Sequence, residues 1–383
     1  MSRAVIVGFK RSPFTIAKKG ELANVRPEDI LSQVINDLVK SSNININDIE
    51  DIIAGCAYPE GAQGYNIAKV VSFMTNMPVH VSGMTINRWC GSSMQAIHSA
   101  AGAISMNAGK VFICCGIESM SYVPINGLNF TPHPNLLINN PNVYISMGDT
   151  AENVAKKYNI GRTQQQEFAI KSHYKAHKAQ NEDKFKEEIT SIIDNKNNIN
   201  KDGAIRPNTS QEILNNLKLV FDENGTVTAG TSSPLTDGAS ATLICEEEYA
   251  KKNNLEIIAK ILSTSVNGCS PELMGLGPIG ASIKALKRAN LDINDIDICS
   301  VVAESSLAFF CPDESRGEFF GLYALSGRIT SFLGPLFLTE ITLITGSQRS
   351  GMSTILIFFI IGLIGMLWLE IPQQLLVATK ESD

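Results

Sequence analysis

In the stretch Asn87-Arg88-Trp89-Cys90-Gly91-Ser92-Ser93-Met94-Gln95-Ala96-Ile97 a cysteine stands just ahead of a helical run. Gly91, Ser92 and Ser93 are small and suit a helix start, and Met94, Ile97, Ala101 and Ile104 recur at three- and four-residue spacing. That spacing predicts an amphipathic helix with Cys90 at or next to its N-terminus. Unpaired N–H groups and the positive end of the helix dipole favour a thiolate there. The thiolate is the nucleophilic form of cysteine, so the chemistry this position offers is covalent catalysis. The competing reading is a buried structural cysteine, and the small neighbours count against it because they let a substrate approach the backbone.

The elements that must position this cysteine are legible around it. Residues 4–9 form an apolar, β-rich run. Residues 27–40 carry Ile30, Leu31, Val34, Ile35, Leu38 and Val39 at helical spacing behind Pro27, Glu28 and Asp29, which are favourable start chemistry. Ile52 to Cys56 reads as a short buried strand and Asn66 to Met74 as a helix, and Thr85-Ile86 leads into Cys90. Lys110 to Gly116 is a continuous apolar run, as expected of a strand covered on both faces. Strands alternating with helices predict an α/β fold. Residues 117–235 change character: Asn and Pro are frequent at 126–142, 149–187 is charged and helical, and 190–204 is Asn- and Lys-rich and reads as loop. Residues 226–230 re-enter the core, 239–245 and 256–266 read as strands, 281–289 as helix, and 293–298 heads toward a further strand.

Composition excludes several classes. The 383 residues carry 32 Lys and Arg against 38 Asp and Glu, with no basic run, so nucleic acid is not an expected partner. Cys56, Cys90, Cys114, Cys115, Cys245, Cys269, Cys299 and Cys311 form no paired C-x-x-C clusters, so no metal site is expected. The start has too short an apolar run for a signal peptide, which with unpaired cysteines predicts a reducing cytoplasm. Residues 307–371 differ from everything before them. Met352 to Leu369 is almost wholly apolar, close to the ~20 residues that span a bilayer, and predicts a transmembrane helix over 352–369 or a very buried core helix.

The Cys90 stretch resembles the acyl-enzyme segment of the thiolases, and the resemblance extends from residue 1 to residue 297. Ala4-Val5-Ile6-Val7-Gly8 with Arg11-Ser12-Pro13-Phe14 resembles the family's opening strand and turn. Gly116-Ile117-Glu118-Ser119-Met120-Ser121, the segment from Met147 to Ala155, Gly225 to Gly230 with Asp237-Gly238-Ala239, and Met274-Gly275-Leu276-Gly277-Pro278 resemble later motifs in order. Residues 304–371, notably Gly317 to Gly327, resemble the carboxyl end of a major-facilitator-type permease. The sequence therefore reads as a chimera or frameshift joined near 298–304. The resemblance implies a layered αβαβα fold whose second half is truncated and replaced by a hydrophobic helical tail. The expected divisions are a core over 1–120, a loop domain over 121–235, a return to the core over 236–297 and the tail over 298–383.

The resemblance also implies a function: attack of Cys90 on an acyl- or 3-ketoacyl-coenzyme A, with coenzyme A as co-substrate, no permanently bound cofactor, and a homo-oligomer. Thiolases complete this chemistry with an Asn-Glu-Ala-Phe segment, a Gly-His-Pro segment and a second cysteine before glycines, and the 383 residues contain none of the three. His98 lies eight residues beyond Cys90, about 12 Å along a helix, and His80, His133, His173 and His177 read as ordinary surface histidines. Neither Cys299 nor Cys311 is flanked by glycines. Ser233 falls where the family places a pantetheine-contacting serine, though an ordinary loop serine is an equal reading; Ser146 and Thr231 depart from the family's usual histidine and asparagine. Lys201 and Arg206 are candidate phosphate contacts. Three functions stay open: a thiolase-type acyltransferase impaired by the missing segments, a catalytically dead acyl-coenzyme A binding module, and a cytoplasmic or membrane-associated fusion with a permease fragment anchored through 352–369.

Overall fold

The computed structural model describes residues 3–296 except residue 196. The expected junction at 298–304 and the expected apolar helix over 352–369 lie outside the described residues. Among the described residues no helix is long and apolar enough to cross a membrane. The chain divides into one unit over Met1–Leu291 and another from Asp292. In the second, the described residues form one 3-10 turn, Ile293–Asp295, capped by the Asp292 side chain. That turn stands where the strand from Ile293 was expected.

Strands β1 (Ala4–Arg11) and β2 (Thr15–Ile16) precede helix α1 (Pro27–Ser42), β3 (Asp51–Gly55), α2 (Ile67–Met74), β4 (Ser82–Ile86), α3 (Ser92–Ser105) and β5 (Val111–Ser119). An excursion follows with α4 (Pro134–Asn139), α5 (Met147–Lys157), α6 (Arg162–Asn181), β6 (Ile192–Asp194), β7 (Asn197–Ile199) and α7 (Gln211–Asn215). The chain returns through β8 (Thr236–Glu246), α8 (Glu247–Lys252), β9 (Ala259–Lys260) and α9 (Gly277–Ala289). The main sheet runs in the order β4-β3-β5-β8-β1-β9, with β2 also on β8. Strands β4, β3 and β5 are parallel, and β8 lies antiparallel between β5 and β1.

The period-two alternation of β5 explains why its sequence is apolar throughout. Val111, Ile113, Cys115 and Ile117 join the core under α1 and α2, whereas Phe112 and Cys114 join the core under α3. Helix α1 has Pro27 in its first turn, Glu28 and Asp29 beside it, and Asn43 at φ 52° as its C-cap. The buried stripe of α3 differs from the expected one. Ala96, Ala100, Ala101 and Ile104 face the sheet, Ile97 is partly buried, and Met94 is exposed. Alanine replaces larger residues because this helix lies close to the strands.

Three other expectations are corrected. The segment 190–204 contains the β6–β7 hairpin: Ile192 and Ile199 pair across it and are fully buried, and Asn195 takes φ 52° at its tip. The helical stretch 149–187 is two helices, interrupted where Asn159 takes φ 54° and Gly161 caps α6. The strand expected over 256–266 is only the two residues of β9. The Ile261 N–H still donates to Ala4 O at 3.0 Å, and from Ser263 on the chain is tied to α9, with the Ser263 hydroxyl donating to Ala285 O at 2.7 Å and Arg288 donating to Thr264 O at 2.6 Å. The excursion is tied to β1 by Arg11, which donates to both carboxylate oxygens of Asp202 (2.8 and 2.9 Å) and to Glu188 (2.7 Å) between the rings of Phe14 and Phe185.

Ile113 is fully buried at the centre of β5. Ile113→Ala is expected to cost about 2–5 kcal/mol by creating a cavity, read as a lower denaturant midpoint. Met106→Ala, on a side chain 81% exposed, should stay within about 0.5 kcal/mol. Equal effects of the two substitutions would contradict the placement of the core.

Candidate functional site

The site is built where two parallel strands end under a helix start. Gly55 closes β3 and stands in register with Gly116 of β5. A Cβ on Gly55 would overlap the backbone of Ser92 and Ser93, and one on Gly116 would press on the Ser93 side chain at 2.7 Å. Two adjacent glycines thus let the first turn of α3 settle onto the sheet. Cys90 immediately precedes Gly91, the N-cap of α3, and is exposed. The turn before it is closed by Ser92, whose hydroxyl donates to Trp89 O at 2.5 Å and accepts from the Arg88 N–H at 2.8 Å. Trp89 takes φ 49°, a left-handed conformation that a non-glycine residue adopts at a cost of about 1–2 kcal/mol. The Trp89 ring packs edge-on to Tyr58 at 5.6 Å between centroids.

Position and burial separate the cysteines. Cys56, Cys114, Cys115 and Cys245 are buried. Burial, as the largest cause, pushes their thiols up, to about 12 for Cys115 and for Cys245. These thiols stay protonated and inert at neutral pH. Cys269 is exposed, with its thiol donating to Met274 O at 3.8 Å, and it lies in the stretch before α9 rather than at an α-helix start. Cys90 combines exposure with a helix start.

The histidines are spread across the unit. His98 is two turns into α3, and burial followed by the Arg88 charge lowers its pKa. His80 meets Asn47 O at 3.2 Å, His133 caps α4, His173 accepts from the Arg206 N–H at 3.2 Å, and His177 meets Asn181 at 3.0 Å. Ser233 is exposed in the loop before β8, with its hydroxyl 3.5 Å from Pro234 O. Ser146 caps α5, accepting from the Asp149 N–H at 3.2 Å, and the Thr231 hydroxyl accepts from the Thr228 N–H at 3.0 Å. Lys201 and Arg206 are exposed. Among the described residues no cluster of His, Cys, Asp and Glu could hold a metal ion.

Glu118 lies within the Gly116 to Ser121 motif, and nothing in its sequence context assigns it a task. In the fold its carboxylate is mostly enclosed beside Cys56. It accepts from the Ala57 N–H and from the Gln63 amide, each at 2.7 Å, while the Gln63 carbonyl accepts from the Ser119 N–H. Burial pushes the Glu118 carboxyl up, and these hydrogen bonds oppose the shift. The available signal was a carboxylate inside an apolar run, two residues beyond a strand glycine.

Two outcomes follow from this geometry. Gly55→Ala is expected to cost about 1–3 kcal/mol through overpacking and to slow alkylation of Cys90 by lifting α3 from the sheet. Gly102→Ala, where an added Cβ meets nothing within 4 Å, should do neither. For Glu118 the folded value lies above the unfolded one, so its stabilising contribution is complete below about pH 4.3 and is lost as pH rises through the raised value. The stability difference between wild type and Glu118→Gln, measured by denaturant titration, should therefore shift against wild type as pH rises through that window. A pH-independent difference would refute it.

Comparison with known proteins agrees with this architecture. The profile of the thiolase N-terminal domain matches residues 4–248. A second profile, described as vacuole effluxer Atg22 like, matches residues 299–375 and accords with the permease resemblance of the tail. The chain is 45% identical over 306 residues to a 3-ketoacyl-CoA thiolase of Shewanella loihica, covering 78% of this chain and 79% of that one. It is 40% identical over 311 residues to a 3-ketoacyl-CoA thiolase of Bacillus subtilis, covering 78% and 80%. Among solved structures, human mitochondrial 3-ketoacyl-CoA thiolase in complex with CoA superposes with a TM-score of 0.71 at 30% identity, covering 78% of each chain. The acetyl-CoA acetyltransferase of Bacillus anthracis superposes with a TM-score of 0.70 at 32% identity, covering 78% and 79%. The chain belongs to the thiolase family, whose members are acyltransferases.

Proposed function

We propose that Cys90 is the acyl-accepting nucleophile of a 3-ketoacyl-coenzyme A thiolase. The observation that carries this reading is the exposed thiol directly ahead of α3, on the glycine floor that Gly55 and Gly116 provide. The thiolate attacks the 3-keto carbon of the substrate. The bond between that carbon and its neighbour breaks, the acyl group stays on sulfur, and the two-carbon fragment leaves as an enolate that takes up a proton as acetyl-coenzyme A. Free coenzyme A then attacks the acyl-thioester, releasing a shortened acyl-coenzyme A and regenerating the thiol. Coenzyme A is thus a co-substrate and no resident cofactor is needed. Ser233, exposed ahead of β8, is the candidate contact for the pantetheine arm.

The same chemistry needs an acid/base at the α carbon and donors for the oxyanion. The family's Asn-Glu-Ala-Phe, Gly-His-Pro and second-cysteine segments are absent from the 383 residues. We infer that this polypeptide acylates slowly and turns over poorly, since one lost oxyanion donor alone costs about 10²–10³ in rate. In the limit of no turnover it is an acyl-coenzyme A binding module. The similarity of residues 299–375 to an effluxer family supports membrane association of the tail, to be read from the membrane fraction of cells expressing the chain with and without it.

The deciding measurement is mass spectrometry of the full chain mixed with acetoacetyl-coenzyme A, with coupled turnover in the presence of free coenzyme A. An acetyl-type adduct on Cys90 that forms over minutes, vanishes in Cys90→Ala, and is accompanied by little turnover is expected. Turnover at about 10 s⁻¹, an ordinary enzyme rate, would show that other residues complete the site. An adduct on Cys269 would overturn the assignment.

A further inference from the structure

We propose that Asn87 is a positioning residue that holds Cys90 at the start of α3, braced through the backbone of Ala57 by the carboxylate of Glu118. This deepens the reading of Cys90 as nucleophile and rests on it. The Asn87 side chain uses both of its ends. Its carbonyl oxygen accepts from the Trp89 N–H at 2.8 Å, and its amide nitrogen donates to Ala57 O at 2.8 Å. The N–H of Ala57 is in turn held by Glu118 at 2.7 Å, whose other oxygen is held by Gln63 at 2.7 Å. Both polar groups of the Ala57 backbone are therefore gripped from opposite sides, one by a largely enclosed carboxylate and one by the residue that caps the turn.

The chain of contacts ends at the residue before the nucleophile. Trp89 is held at φ 49°, where the hydrogen bond from its N–H to Asn87 offsets the cost of the left-handed conformation. Released, Trp89 returns to a negative φ, which swings the following residue away from the first turn of α3. The Cys90 thiol is already exposed, so loosening the turn gains it no access. What it loses is its fixed place directly ahead of the first turn of α3, where an attacking reagent meets a sulfur held in one position. The direction of the effect is therefore fixed: weakening Asn87 slows the reaction of Cys90.

The test is the rate of Cys90 alkylation by iodoacetamide at pH 7, followed by peptide mapping of the full chain, with a thermal midpoint for each variant. Asn87→Ala is expected to alkylate about three- to tenfold more slowly than wild type, the range of one lost hydrogen bond. Asn87→Ser, whose hydroxyl can still accept from the N–H two residues on, should recover part of the loss. Glu118→Gln, which keeps one acceptor oxygen, should fall between wild type and Asn87→Ala. A lower thermal midpoint in Asn87→Ala with an unchanged alkylation rate would reduce Asn87 to a structural tie and overturn the proposal, as would equal rates in Asn87→Ala and Asn87→Ser. Acylation of wild type by acetoacetyl-coenzyme A, run beside these, reports on the nucleophile separately. Slower alkylation in Asn87→Ala without any acylation of wild type would leave the positioning role standing and remove the nucleophile. Acylation of wild type with equal alkylation rates would do the reverse.

Discussion

The fold around Cys90 depends on one close approach, that of the first turn of α3 to the ends of β3 and β5. Gly55 and Gly116 stand side by side in the sheet, and there is no room above Gly55 for even a methyl group. The alanines along the sheet-facing side of α3 continue the same requirement down the helix. Protein interiors are packed at crystal-like density, so a helix placed this close stays in register with the strands beneath it. The cysteine inherits that fixed position without a long side-chain scaffold of its own.

Carboxylates rather than apolar contacts organise the loops beyond this core. Asp237 is fully buried and accepts from Ser121 N–H at 2.9 Å and from the hydroxyls of Ser119 and Ser121 at 3.1 and 2.6 Å. Glu152 accepts from the N–H groups of Thr226 and Val227 and so fixes the segment that leads back to the sheet. Glu118 does the same for Ala57. In each case an acidic side chain replaces water as the acceptor for backbone N–H groups that no strand or helix uses, which is how an irregular segment can be enclosed at tolerable cost.

The sequence disclosed what is local and periodic. The stripe of α1, the apolar run of β5 and the placement of Cys90 before a helix follow from spacing and composition within about a dozen residues. It concealed what depends on distant partners. The β6–β7 hairpin was hidden among asparagines because only Ile192 and Ile199 bury, and a pair of isoleucines has no visible period. The strand expected over 256–266 is short because Ser263 and Thr264 bond to α9, while Leu262 and Val266 stay exposed. The role of Glu118 is invisible in the sequence because its partners, Gln63 and Ala57, come from a loop more than fifty residues earlier. Met94 was placed inward because apolarity alone cannot tell a packed stripe from a helix that must come too close for methionine.

The placement of β8 between β5 and β1 has a consequence for synthesis on the ribosome. Strand β1 emerges first, yet its ladder partner is the strand in which Ser240 pairs with Arg11 and Glu246 with Ala4. At about 5–20 residues per second, some 230 residues of translation separate the two, so the first strand waits roughly 10–50 s with that edge open. Parallel β3, β4 and β5 can pair with one another and pack with α1, α2 and α3 during that interval, because these partners lie within the first part of the chain, while the other edge of β5 stays open. The late strand then closes two edges at once, that of β5 and that of β1. A nascent chain of this design holds half a sheet until β8 joins β5 to β1, and the short β9 that follows covers the other edge of β1 at Val5 and Ile6.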